Sequence, residues 1–588
     1  MEVNVAAEVE DLLALLDGHR RCKSNDTWVQ DGAKDDNVAI TFCWLHAWAR
    51  NAHVTGLAVL EDFCYRRNIL KVLSAITRRP WWNRTWTIQE IGLAQKSDVV
   101  LGGLGAPWGM LTAAAANIVT HRLNCCTAAF AEFAVGEVDV ILEFCRKVLD
   151  IENTRRLCKS ESSPQPSVTG HTVPPTIPIS QDLWLLWFTR PREAFDARDK
   201  IFGLRGVMKS WSAGLPIEPD YSKPAQNVFR DLTTALIDQT KGYDVLIGNL
   251  GKSAYPELPQ WLRNLDSLSI DMPEFTSSGQ DQHPNEHPEL VQLKRLAEYS
   301  PSYVDQVPSW VPDFAAPAST FERERVDRAS LYSASSASVA PPPRILAGIA
   351  LEVHTLPVDR IKHVGPVMIV AREASFNPIL KQWVNLMICD AAERGYDLKS
   401  LGDRDYLNGG NMICAWQRTI CMDSIPTTDA QVGQTTRYRR PDDYADALTH
   451  QRWAEGILDA DDYDAIFGLR TGLNAKIPAP PGDSETALFG ASVKSATFLR
   501  CFFITERGYF GLGPSQARVG DEVKVFLGGR VPFLVRAIGA ASVPAVLSAQ
   551  ADACFSLVGD CFLQGIMDGE RPLQAVRRGE ECQACYLI

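Results

Sequence analysis

Apolar residues recur at three- and four-residue intervals through most of this chain and change to alternation only towards its end. "AVGEVDVILEFCRKVLD" (134–150) has helical spacing. "SQDLWLLWFTRPREAFDARDKIFGLRGVM" (180–208) predicts two helices, broken near Pro191. "KPAQNVFRDLTTALIDQT" (223–240) predicts an amphipathic helix with proline near its first turn, where a missing N–H costs little. Between residues 56 and 150 the helical patterns are interrupted by one short strand, "DVVLGG". From about 495 the period becomes two. "RCFFITERGYFGLGPSQARVGDEVKVFLGGRVPFLVRAI" and "FSLVGDCFLQGIM" are short apolar runs separated by Gly, Pro and Gly-Asp turns. They predict a small antiparallel barrel or sandwich near 495–570.

Three polar stretches interrupt these patterns: "KSESSPQPSVTGHTVPPTIPIS" (159–180), "TSSGQDQHPNEHPE" (276–289) and "SASSASVAPPPR" (333–344). None carries enough apolar surface to offset the entropy of ordering it, so each is expected to be a mobile loop or boundary. No internal repeat is present. The expected layout is an α/β region over 1–150, a helical region over 180–330, a mixed, mainly helical region over 345–490, and a β-rich module with its tail over 491–588.

The chain's 588 residues are too many for one core. Its net charge of −12 argues against broad nucleic-acid binding, because an acidic surface repels phosphate backbones. The start, "MEVNVAAEVEDLLALLDGHR", lacks the basic-then-apolar pattern of a signal peptide, and no run is long and apolar enough to span a membrane. A cytoplasmic protein is expected.

The fifteen cysteines are scattered, which in such a chain predicts reduced thiols. Only Cys125–Cys126 and Cys582–Cys585 lie close in sequence. Neither has a second Cys or His pair at a zinc-site spacing, so no metal is expected. The last four residues, "CYLI", loosely fit a prenylation signal on Cys585, the one route by which membrane anchoring is expected. The alternative is an ordinary C-terminus with two reduced thiols.

"RPWWNRTWTIQEIGLA" (79–94) resembles the closing motif of the fungal heterokaryon-incompatibility (HET) domain: an aromatic, Arg, one residue, then Trp-x-x-Gln-Glu-x-x-x-Ala. The likeness continues in order. "FDARDKIFGLRGV" resembles the family's Arg-Asp-Lys-Ile segment, "PDYSKPAQNVFRDLT" its Asp-Tyr-Ser-Lys segment and "VPSWVPDF" its Pro-Ser-Trp-x-Pro-Asp segment. "FFITERGYFGLGPSQARVGDEVKVFLGGRVPFLVR" and "LVGDCFLQGIMDGE" resemble its C-terminal signature. Members open with Ser-Tyr-x-Trp-Gly and Cys-Ile-Asn-Gln segments. Neither precedes residue 79, and "AITFCWLHAWARNAH" (39–53) is a poor substitute. The HET-like region is therefore expected to be truncated or rewritten, through a lost exon or a lost first strand.

The resemblance implies a kinship with TIR domains and their flavodoxin-like parallel sheet. It implies a regulatory protein of non-self recognition and regulated cell death, with a protein partner or self-association. Latent NAD cleavage is a candidate mechanism, with NAD as substrate and no resident cofactor. The alternative is an accessory protein or enzyme encoded with a secondary-metabolite pathway. NAD-cleaving TIR domains carry a glutamate four residues after a tryptophan, and Trp86 and Glu90 have that spacing. On a helix the pair shares a face, extended here by Leu93 and Ala94. Glu90 is thus the candidate catalytic carboxylate, able to stabilise an oxocarbenium-like ribose. Arg84, whose planar fork suits a phosphate, and Trp86 are the candidate nucleotide-binding residues. Two structural readings of Glu90 stand beside this one: a capping box in "TIQE", or an ion pair with Arg84. "LGGLG" (101–105) lacks the spacing of a phosphate loop, and the ten histidines suggest no nucleophile–base pair.

Overall fold

In the computed structural model, residues 35–53, 63–123, 125–159, 180–208, 214–215, 217–248, 299, 307–318, 320–336, 338–369, 373–398, 401–402, 404–427, 438–442, 446–455 and 483–588 are described. They fall into two compact units. The first takes described residues of 35–159 and 192–208, and the second those of 180–191 and from 214 onward.

The first unit is built on helices. Val38, Thr41, Trp44, Leu45 and Trp48 lie three or four apart, so α1 (Asp35–Ala49) buries them along one side. Residues 39–49 of the segment called above a poor substitute for the family's opening motifs are thus helical. After α2 (Phe63–Thr77) come a 3₁₀ turn at Pro80–Asn83 and a two-turn helix, α3 (Thr87–Leu93). "DVVLGG" forms β1 (Asp98–Leu101), which pairs antiparallel with β2 (Leu104–Pro107). Then follow α4 (Trp108–Leu123), α5 (Thr127–Ala131) and α6 (Val135–Lys159). Helix α6 runs nine residues past the expected end at 150. It packs on α2, α3 and α4 through Ile141, Phe144, Val148 and Ile151. Among the described residues this unit holds one two-stranded antiparallel ribbon, so the flavodoxin-like parallel sheet implied by the resemblance is not found there.

The second unit opens with α7 (Gln181–Thr189), buried throughout and capped by Ser180, whose hydroxyl accepts the Leu183 N–H. The predicted amphipathic helix is α8 (Ala225–Thr240), and α9 (Thr320–Ala329) follows. Next come β3 (Arg344–Leu346) and the 18-residue β4 (Ala350–Val367). Helices α10 (Glu373–Glu393) and α11 (Met412–Ile420) follow. A short β5–β6 ribbon (Ile425–Pro426 with Tyr438–Arg439) and helices α12 (Ala447–Glu455) and α13 (Asp483–Thr497) come next. The end is β7 (Arg500–Thr505), β8 (Phe510–Pro514), β9 (Glu522–Phe526), β10 (Phe533–Ala537), β11 (Cys554–Asp560), β12 (Phe562–Leu563), α14 (Glu570–Arg578) and β13 (Gln583–Leu587).

Strand β4 organises the sheet. Its first half pairs with β13 on one side and β9 on the other. β9 pairs with β10, β10 with β11, and β11 runs parallel to β13. The ring β4–β9–β10–β11–β13 therefore closes, removing the free edges that invite aggregation. The second half of β4 continues into β7, β8 and β12. Bulges at Pro357/Asp359 and Ile361/His363 let one strand serve both layers, since an extra residue bends a strand. Leu356, Val358, Phe503, Val523, Val525, Leu534 and Val558 form the core between them. The antiparallel β module is present as expected, with two additions: residues 344–367, from the region expected to be mainly helical, supply its central strand, and β13 closes it.

Segment 333–344, expected to be mobile, is anchored at several described positions, though Ser336, Val339, Pro342 and Arg344 are exposed. Ala334 and Ala340 are buried, and Ser335 and Ser338 accept the Gly528 N–H. Its small residues fit here because the chain comes very close. A Cβ on Gly528, which has φ +94°, would lie 2.3 Å from the Ala340 nitrogen. The segments at 159–180 (but for Lys159, which ends α6, and Ser180) and 276–289 lie outside the described residues.

Candidate functional site

The tryptophans of "RPWWNRTW" anchor the segment carrying Glu90. Trp82 is buried and donates its indole N–H to the Ile76 carbonyl at 2.7 Å, closing the end of α2. Its ring meets Trp81 at 5.2 Å and Trp108 at 6.1 Å between centroids, and Trp108 in turn donates to Glu152 at 2.8 Å. These large apolar rings with satisfied N–H groups fix the turn that precedes α3.

The Arg-Asp-Lys-Ile segment lies against this turn. Arg192 donates to the Trp82 carbonyl at 2.6 Å and to Asp150 at 2.9 Å, and Lys200 donates to the Arg192 carbonyl. Arg84 and Glu193 form an isolated parallel bridge, with the Thr85 N–H donating to the Glu193 carbonyl at 3.0 Å. Gln89 reaches the Phe202 carbonyl at 3.3 Å, while a Cβ on Gly203 would stand 3.0 Å from the Thr85 methyl. The two signature segments, separate in sequence, are thus one structural element, and Gly203 allows their close approach.

Neither structural reading of Glu90 is realised. Helix α3 is capped by Trp86 without a side-chain bond, and the Thr87 hydroxyl donates instead to the Arg84 carbonyl at 2.7 Å. Among the described residues no hydrogen bond or ion pair joins Arg84 to Glu90. Glu90 is exposed and accepts the Trp81 indole N–H at 3.0 Å. Arg84 is also exposed and Trp86 half-buried. The apolar face expected around Glu90 does not continue through Leu93, which is 58% exposed. The carboxylate is therefore oriented by an indole and open to solvent.

Cys585 sits in the middle of β13, fully buried, with its thiol pushed up to about 12 by burial. Its register neighbour is Val353 on β4. The carbonyl of Ile588 accepts the Ser309 N–H and hydroxyl, so the "PSW" signature holds the segment beside this strand. A lipid on Cys585 would require β13 to leave the barrel, whereas Cys582 is exposed. No helix among the described residues is long and apolar enough to cross a membrane.

The first unit also brings His53, His121, Cys125 and Cys126 together, with their ligand atoms all within 4.8 Å of one another. Sequence reasoning missed this group because His53 lies 72 residues from Cys125. The four-residue step from His121 to Cys125 was the available signal.

Residues 484–582 match the family model of the Het-6 beta-barrel domain. That span covers β7 to β12, while β4 and β13, which close the ring, fall outside it. A stretch of 68 residues is 37% identical to heterokaryon incompatibility protein 6, OR allele, of Neurospora crassa, covering 12% of this chain and 9% of that protein. The match thus spans less than a tenth of the relative's length. No solved structure is significantly similar.

Proposed function

We propose, from the match of residues 484–582 to the Het-6 beta-barrel domain and the 68-residue similarity to heterokaryon incompatibility protein 6, that this chain is a regulatory protein of non-self recognition whose output is regulated cell death. The observation that carries this reading is that the matched residues 484–582 supply strands β7 to β12 of a well-packed barrel, which β4 and β13 close from outside the matched span. A closed ring without free edges suits a module that presents loops and outer faces to a protein partner or a second copy. Such a protein would work in the cytoplasm. The test is genetic. A strain expressing the chain from an inducible promoter is fused with strains carrying divergent alleles, and viability of the fused compartments is scored. Death that depends on expression and on allelic difference is expected. Full viability in every pairing, with the protein present, rejects the reading.

Latent NAD cleavage is the mechanism we attach to it. Cleavage transfers the ribose C1′ from nicotinamide nitrogen to water, and the nitrogen leaves with the bonding pair. A leaving group that already carries positive charge needs no acid, so one oriented carboxylate beside the ribose suffices. Glu90, held by Trp81 and open to solvent, has that character, with Arg84 exposed nearby in sequence to meet a phosphate. Purified protein forced to self-associate should deplete NAD, and Glu90→Ala should abolish the loss. Equal loss in both proteins removes Glu90 from the mechanism.

A further inference from the structure

We propose that His53, His121, Cys125 and Cys126 form a tetrahedral zinc(II) site in the first unit, independent of the functional reading above. The ligand atoms are both imidazole Nδ1 atoms and both thiol sulfurs. Cys125 Sγ lies 3.5 Å from His53 Nδ1 and 3.4 Å from His121 Nδ1. Cys126 Sγ lies 3.6 and 3.7 Å from the same two atoms, and the sulfurs are 3.9 Å apart. Zinc–sulfur bonds near 2.3 Å and zinc–nitrogen bonds of 2.0–2.1 Å set tetrahedral edges of about 3.8 Å between sulfurs and about 3.6 Å between sulfur and nitrogen. The cluster already has those edges.

Hydrogen bonding alone does not require this arrangement. Two thiols can donate one proton each, so two S–H···N contacts would satisfy them. Here each sulfur approaches both nitrogens, and all four atoms surround one centre. The second shell agrees. His121 Nε2 lies 2.8 Å from Asn51 Oδ1, an acceptor that places the proton on Nε2 and leaves Nδ1 bare for a metal.

The fold delivers each ligand for a local reason. After α1, Asn51 turns the chain with φ +68°, and the Ala52 N–H bonds back to the Ala47 carbonyl at 3.1 Å. This cap presents His53. His121 lies in the last turn of α4, with its ring edge-on to buried Trp48 at 5.5 Å. The Cys126 N–H returns to the His121 carbonyl at 2.8 Å, which folds the cysteine pair over the end of α4, and Cys126 also caps α5. Binding would tie the segment after α1 to the α4–α5 corner. Two thiols would lose their protons to solvent as zinc enters, with no redox change. Four protein ligands leave no position for a substrate, so the site is structural in type.

The test uses the full chain, purified under reducing conditions, with metal content measured by plasma mass spectrometry and cobalt(II) as a spectroscopic probe. About one zinc per chain is expected, and cobalt should give the intense visible bands of a tetrahedral N2S2 site with thiolate charge transfer. Cys125→Ser and His53→Ala change exposed ligands, so far-UV circular dichroism should show both folded, and both should lose the metal. Cys582→Ser, an exposed cysteine elsewhere, should retain it. Three results would overturn the proposal: no stoichiometric zinc or tetrahedral cobalt in the reduced protein, metal retained by both ligand variants, or a Cys125–Cys126 disulfide in protein kept reduced.

Discussion

Removing the Asp560 carboxylate should destabilise the barrel far more than a substitution of equal size at an exposed position. Arg500 Nη2 lies 2.6 Å from Asp560 Oδ2, and the two side chains are 2% and 6% exposed. Arg500 also donates to the Asp560 carbonyl, and the other carboxylate oxygen accepts the Gly248 N–H at 2.7 Å. Asp560→Ala leaves a guanidinium buried without its counter-charge, which costs about 3–5 kcal/mol. It also strands the Gly248 N–H, a penalty of about 1–3 kcal/mol that overlaps the first. At about 2–4 °C per kcal/mol for a unit of a few hundred residues, the barrel's thermal midpoint should fall by roughly 6–20 °C. Scanning calorimetry of the full chain measures it. The companion Arg500→Met/Asp560→Leu removes both charges and fills the space with apolar atoms, so it should recover most of the loss. A single-variant midpoint within about 1 °C of wild type would refute the reasoning, because it would mean that the pair is solvated rather than buried.

Gly511 on β8 faces Phe503 across the β7–β8 pair, and an added Cβ would lie 2.2 Å from that ring, so Gly511→Ala should cost about 1–3 kcal/mol in denaturant titration, with Phe503→Leu relieving part of it. Glu90→Ala removes one exposed hydrogen bond and should change stability by less than about 1 kcal/mol, so a loss of the proposed NAD cleavage in a protein with unchanged midpoint would report on chemistry rather than folding. Cys582 should react with an aromatic disulfide reagent in the native protein, whereas Cys585 should react only on unfolding. Labelling followed by peptide mass mapping separates them, and rapid native labelling of Cys585 would show that β13 leaves the barrel.

The elements that read correctly from sequence are those whose own residues carry the whole signal. Helix α8 shows its buried face as Val228, Phe229, Leu232, Leu236 and Ile237, and strands β7 to β10 show apolar runs between turn residues. Strand β4 was hidden because "ALEVHTLPVDRIKHVGPV" contains two prolines and a glycine, residues that argue against a central strand until bulges accommodate them. Segment 333–344 looked mobile because its composition is small and polar, yet smallness is what the Gly528 approach demands. The Trp86–Glu90 spacing was legible, but the partner of Glu90 was not. Trp81 lies nine residues earlier and reaches Glu90 only because a 3₁₀ turn folds back on α3. The His–Cys cluster depends on a helix cap at Asn51 that brings distant residues together, a contact that local spacing does not encode.

The part in non-self recognition proposed for the barrel can be measured most directly by viability after hyphal fusion. One strain would carry the wild-type chain, and another Asp560→Ala at matched protein level and at a temperature where both barrels are folded, with a third carrying Asp560→Ala above its lowered midpoint. Death of fused compartments is predicted for the wild type and for the folded variant, and its loss when the barrel alone is melted. Death that persists with the barrel unfolded, or that never occurs with the wild-type chain, would contradict the account.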